Sequence, residues 1–207
     1  MKTLLVRALL LAAWTAAAAE SGPLPAPWKN QDVGAVELKG SASLKDSLFT
    51  LSGTLDTWGT NDGFHFVYQP WQGDGEIVAR VLSVENTFNH AKGGLMFRQA
   101  LTPGSPHAEI AVTAVDGAQF LVRGAADAKT TSAKTDLNKG KFPYWVKLVR
   151  AGKTFSGYES LDGKSWTLTG TTNLDFPPSL FVGLATSSHQ KAKLCTATFD
   201  QVKLSRP

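Results

Sequence analysis

The chain has 207 residues, 43% of them apolar, and carries 21 basic and 17 acidic side chains for a net charge of +4. That size and composition suit a globular protein with one substantial core. Basic residues are scattered without a dense patch, which excludes a surface that tracks a nucleic-acid backbone, and a single cysteine excludes an internal disulfide.

The first 19 residues place Lys2 and Arg7 ahead of an apolar centre and end on Ala17, Ala18 and Ala19, the pattern of a secretory signal peptide. The apolar run is shorter than the ~20 residues that cross a bilayer, and no second such run follows, so no membrane span is expected once the leader is removed. The mature chain would begin near Glu20, with 19 basic groups against 17 acidic ones and a charge of +2. The expected address is secreted or periplasmic, and residues 20–207 are expected to form a single domain.

Beyond the leader the dominant hydrophobic period is two, and turn-forming residues recur at short intervals, which predicts an all-β protein. Residues 76–84, EIVARVLSV, put Ile77, Ala79 and Val81 on one face and Val78, Arg80 and Leu82 on the other. Residues 94–99 and 107–114 alternate in the same way around the turn TPGSP, and 119–123 follow Asp116-Gly117, a pair that favours hairpins. Residues 124–141 are small and polar, too long for a bare loop in a compact domain, so a short strand is expected at 130–133. Lys129, Lys134, Lys139 and Lys141 in that stretch read as a solvated loop. Further strands are predicted at 144–150, 154–160, 165–171, 180–187 and 195–204, and helix should be confined to short turns such as 86–90. In CTATF, Cys195, Ala197 and Phe199 share a face, which predicts a buried and inert thiol.

Chemistry-bearing residues concentrate between 56 and 98. Trp58, Tyr68 and Trp71 are flat apolar rings of the kind that stack on a pyranose, while Asp62, His65 and Arg98 offer hydrogen bonds to hydroxyls. His107, after the TPGSP turn, is expected to face Arg98 across the adjacent strand. The competing reading buries Trp58 and Phe64 in the core and has Asp56 and Asp62 cap the turn TWGTNDG. An open pocket shared by Asp62, His65, Arg98, His107 and an exposed aromatic would mark a site.

Asp56, Asn61, Asp62 and Asp74 are oxygen ligands of the type calcium prefers, but their spacing matches no defined calcium loop. No motif for another cofactor is present: no HExxH, paired CxxC, P-loop, GxGxxG or GxSxG. SLDGKSW at 160–166 resembles a shortened Asp-box hairpin, in which Asp162 accepts backbone hydrogen bonds, Gly163 takes a positive φ and Trp166 packs beneath the turn.

About a dozen short strands suit a two-sheet antiparallel jelly-roll sandwich. The segments QDVG (31–34), GSAS (40–43), GDGEIVARV (73–81), AKGGLMFR (91–98) and ATFDQVKL (197–204), with the 56–69 run, resemble the concanavalin A-like lectin/glucanase superfamily. More narrowly they are similar to bacterial regulation-of-enolase-like sandwiches. The resemblance covers nearly the whole mature chain and implies two curved sheets whose concave face receives saccharide. The glucanase branch also carries an E-x-D-x-E strand that this chain lacks. The acidic strand nearest to it, EIAVTAVD at 109–116, puts its carboxylates seven residues apart and on opposite faces. The expectation is a noncatalytic, lectin-like carbohydrate-binding domain whose saccharide contacts include Trp71 and Arg98. A glycan-processing enzyme is the alternative, followed by a structural envelope protein; neither nucleic acid nor a set oligomeric state is indicated.

Overall fold

A computed structural model describes residues 24–135, 137 and 139–207. The leader at 1–19 and the start near Glu20 lie outside the described residues. Those described form fourteen strands in two antiparallel sheets, with no helix among them.

In chain order the strands are β1 (Lys29–Val33), β2 (Ser41–Lys45), β3 (Leu48–Gly53), β4 (Phe64–Gln72), β5 (Gly75–Val84), β6 (Lys92–Arg98) and β7 (His107–Thr113). They continue as β8 (Gly117–Arg123), β9 (Thr131–Lys134), β10 (Tyr144–Ala151), β11 (Thr154–Ser160), β12 (Thr167–Asn173), β13 (Ser179–Ser187) and β14 (Cys195–Ser205). One sheet, here A, has the order β1-β4-β13-β6-β7-β8-β9, and the other, B, has β12-β11-β10-β5-β14-β3-β2. This is the two-sheet antiparallel sandwich expected from the alternation. The 86–90 segment forms turns, with Thr87 N–H donating to Glu85 and Ala91 N–H to Phe88, and contains no helix.

Period-two alternation explains sheet B directly. In β5 the buried Ile77, Ala79 and Val81 face the core, while Val78, Arg80 and Leu82 are only partly covered. The core between the sheets joins these residues to Leu95, Phe97, Ile110 and Phe120 of sheet A and to Phe155 and Phe199 of sheet B. Cys195 is fully buried in it, and burial pushes its thiol up to about 12, as an inert core sulfur requires.

Sheet A departs from simple alternation, because every residue of β6 and of β7 is buried. Its outer face, turned away from sheet B, is covered by the loops at 54–63 and 99–106. Asp62 N–H donates to Pro103 across these two loops, and Leu55 and Gln190 tie the first loop to the β13–β14 connection. At the β11–β12 turn Asp162 accepts from the N–H groups of Lys164 and Ser165, and these bonds hold its carboxyl below the usual carboxylate range. Gly163 has φ of 71°, but the ring that packs against it is Trp145; Trp166 lies instead under the Lys147 ammonium.

Candidate functional site

Strand register writes a polar ladder on the outer face of sheet A. Across β6 and β7, Lys92 stands opposite Thr113, Met96 opposite Glu109 and Arg98 opposite His107. Across β7 and β8, His107 stands opposite Arg123 and Glu109 opposite Leu121, and β9 adds Ser132 and Lys134 opposite Leu121 and Gln119. The intervening Leu95, Phe97, Ile110 and Phe120 turn to the core, so strict alternation forces the charged residues onto the other side.

At one end of the ladder Asp62 is clamped between two guanidinium groups. Arg123 meets both its oxygens, at 2.7 and 2.8 Å, and Arg98 donates to Oδ2 at 2.8 Å, with all three side chains sealed from solvent. The remaining N–H groups are also used: Arg98 donates to the carbonyls of Ala100 and Thr102, and Arg123 to those of Gly59, Pro103 and Ala128. Burial pushes the Asp62 carboxyl up, and Arg123 and Arg98 pull it back. This is a buried ion cluster with its donors satisfied, the arrangement in which buried charge is tolerated.

His107 is fully buried beside the clamp, with Nδ1 3.8 Å from Asp62 and neither ring nitrogen hydrogen-bonded. Burial, reinforced by Arg98 and Arg123, holds its pKa well below the ordinary histidine value, so the ring is neutral. Glu109, next on the same face, also has two unpartnered oxygens, and burial pushes its carboxyl up to about 7. Asp56 behaves oppositely. Burial raises its carboxyl, but Lys92 and His189, both paired to it, more than offset this and hold it at about 2.

Above this layer lies a hollow of about 350 Å³. Lys92 of β6, Gln119 and Leu121 of β8 and Ser132 and Lys134 of β9 line it from the sheet; Asp56, Trp58, His90 and His189 line it from the loops. Trp58 is 49% exposed, so its indole is a wall of this hollow and not part of the core. Its backbone is held on both sides. Thr57 C=O accepts from Thr130 Oγ1, Gly59 C=O accepts from Thr130 N–H and Arg123, and Asp56 accepts from Thr57 N–H. Gly59, with φ of 93°, supplies the left-handed turn that follows the indole.

The predicted residues therefore separate. Asp62, Arg98 and His107 converge, and His107 stands opposite Arg98 as expected, but their pocket is closed. His65 does not join them: it faces the other side of β4, with Nδ1 2.9 Å from Asp32 and Nε2 3.2 Å from Asn30. Tyr68 is buried in an apolar outer-face cluster with Phe64, Phe66 and Met96, its hydroxyl donating to Gln31. Trp71 belongs to the core, donates to Gly73 C=O and carries the Arg206 guanidinium over its ring. Of the seven, Trp58 presents the most exposed ring; Trp71, 8% exposed, borders a separate hollow of about 370 Å³ beside Leu180, Phe181 and Arg206.

Of the oxygen-rich set, three members gather and Asp74 stands apart. Asp56, Asn61 and Asp62 line a second hollow of about 550 Å³, but both carboxylates are engaged by cations, and Asp74 accepts from Gly152 N–H at the β10–β11 turn. Among the described residues no three or more His, Cys, Asp or Glu side chains are grouped to hold a metal ion. Sequence reasoning missed Lys92, Glu109, Gln119, Arg123, Ser132 and His189, and it left Lys134 in a solvated loop although this residue ends β9 and lines the hollow. The signal for most of them was alternation: AKGGLMFR, HAEIAVT and QFLVR each carry polar groups at one parity of an otherwise apolar strand.

No sequence-family model matches the chain, and no curated protein does. Solved structures do. A functionally unknown protein from Saccharomyces cerevisiae superposes with a TM-score of 0.65 at 16% identity, over 86% of this chain and 96% of that one. The carbohydrate-binding module CBM66 from Bacillus subtilis gives 0.56 at 18% identity, over 86% and 95%. A prokaryotic β-1,3-1,4-glucanase (lichenase) derived from a mouse hindgut metagenome gives 0.55 at 13%, over 86% and 92%. At such identities the likeness establishes the fold, a concanavalin A-like sandwich.

Proposed function

We propose that this chain is an exported, noncatalytic carbohydrate-recognition domain that stacks a sugar ring on Trp58. One observation carries the reading: a half-exposed indole, fixed by a satisfied ion cluster, stands over a hollow whose other walls supply amide, hydroxyl and ammonium groups. An apolar ring face with a few placed polar groups is the chemistry of saccharide binding, and 350 Å³ lies in the range of small-molecule sites. Asp62, Arg98 and His107 act in this reading by positioning the Trp58 loop. The sandwich shared with a carbohydrate-binding module supports it, and the narrower resemblance to regulation-of-enolase-like sandwiches is part of the same proposal.

A hydrolase is the second reading, because Asp56 and Glu109 are driven to about 2 and about 7, the kind of separation that divides a base from an acid. Their surroundings weigh against it. Both Asp56 oxygens already have partners, Lys92 and His189, and Glu109 is sealed. Affinity gel electrophoresis against plant and bacterial polysaccharides tests the choice: retention by at least one polymer is expected, weakened about tenfold in Trp58→Ala, a loss of ~1.4 kcal/mol. Retention by none, or equal retention of the variant, ends the proposal; release of reducing ends would transfer it to the hydrolase reading.

A further inference from the structure

The walls of the Trp58 hollow are unevenly supplied with counter-ions. Asp56 is matched by Lys92 and His189, and His90 Nδ1 lies 3.5 Å from Asp116. Among the described residues Lys134 has no such partner. It is the last residue of the edge strand β9, and its register opposite Gln119 turns the side chain onto the outer face and into the hollow. Neither it nor its neighbours Gln119 and Ser132 make a side-chain hydrogen bond among the described residues. The hollow thus presents an exposed indole, two neutral hydrogen-bonding groups and one ammonium with no ion pair among the described residues.

We infer that the site selects an acidic pyranose, a hexuronate whose ring lies on Trp58 and whose carboxylate is received by Lys134. This rests on the carbohydrate-recognition reading and adds its ligand class. A neutral sugar would leave Lys134 unpaired beside it, whereas a carboxylate gains a charge-assisted hydrogen bond at the rim, where both groups keep part of their hydration. The buried charges do not compete, since Asp62 is bound on both oxygens and Glu109 has no solvent access.

The test is affinity gel electrophoresis of the purified protein in polygalacturonate, in a neutral polymer of similar mass and in dextran sulfate. Lys134→Gln, Trp58→Ala and Lys164→Gln are run beside the wild type. Lys164 lies in the β11–β12 turn and makes the same change in net charge away from the hollow. Polygalacturonate is expected to retain the wild type more strongly than the neutral polymer, with an affinity that falls as salt is added and drops about five- to tenfold in Lys134→Gln but not in Lys164→Gln. Equal losses in the two lysine variants would mean general attraction to a polyanion and would overturn the inference. So would retention by dextran sulfate alone. Preference for the neutral polymer, with loss in Trp58→Ala, would reject the acidic ligand while leaving sugar recognition standing; retention by no polymer would remove both.

Discussion

Glu109 offers a quantitative test of the sealed layer beneath the hollow. It sits in β7 between Met96 and Leu121 on the neighbouring strands, fully buried, with neither oxygen hydrogen-bonded. Burial raises its carboxyl from 4.5 to about 7, Lys92 only partly countering this. A folded-state value above the unfolded one means that the neutral acid is the form the fold prefers. The associated stability is fully present below pH 4.5 and is lost as pH rises through about 7. The interval of about 2.5 units corresponds to roughly 3 kcal/mol. Glu109→Gln keeps the shape of the neutral acid and cannot ionise. Urea denaturation at several pH values between 5 and 8 should show the variant within about 1 kcal/mol of wild type at pH 5 and about 3 kcal/mol more stable at pH 8, with no further gain at higher pH. Parallel stability curves for the two proteins across this range would show that Glu109 is solvated or paired, and the closed layer would have to be abandoned.

Asp62→Ala leaves Arg98 and Arg123 buried without their counter-ion, and is expected to cost about 3–5 kcal/mol in chemical denaturation, far more than the loss of an exposed ion pair. Asp56 has the opposite sign to Glu109: its value lies at about 2 against 3.8 unfolded, so its contribution is present above pH 3.8 and lost as pH falls through about 2. Asp56→Asn should therefore remove about 2 kcal/mol of stability near neutral pH and flatten the acid limb of the unfolding curve. Cys195, buried with its thiol pushed up to about 12, should resist a thiol-specific reagent at pH 8 in the native protein and react fully in denaturant.

Where an element has one wet face, the sequence states it plainly. EIVARVLSV alternates because β5 has the core on one side and water on the other, and its expected limits fall within a residue of the observed strand. In β4 that contrast disappears, since Phe64, His65, Phe66, Val67 and Tyr68 are all buried. With both faces covered, alternation no longer distinguishes them, and His65 and Trp71 were grouped with Tyr68 although they point to opposite sides of the sheet. The same covering conceals the ladder: Lys92, Glu109 and Arg123 lie on a strand face that the 54–63 loop closes off. The loop's docking depends on Asp62 meeting Arg98 and Arg123, which are 36 and 61 residues away in sequence, and local patterning carries no information about such a contact.

The burial of that ion cluster explains why the exposed ring is Trp58. A loop of ten residues carrying an indole at its tip would ordinarily lose conformational freedom on binding, and that loss would subtract from affinity. Here the ordering is completed during folding. Arg123 and Thr130 hold the carbonyls of Gly59 and Thr57, Asp62 anchors the loop's far end, and the tryptophan between them enters the hollow already oriented. In the proposed carbohydrate-recognition role, the charged residues that look most like ligand contacts in the sequence would act from underneath, by fixing the platform. It follows that substitutions at Arg98 or Asp62 should weaken binding in proportion to their loss of stability, whereas Trp58→Ala should weaken binding while leaving stability within about 1 kcal/mol of wild type. Measuring both quantities on the same variants tests whether Trp58 is the proposed sugar platform and the ions beneath only hold it in place.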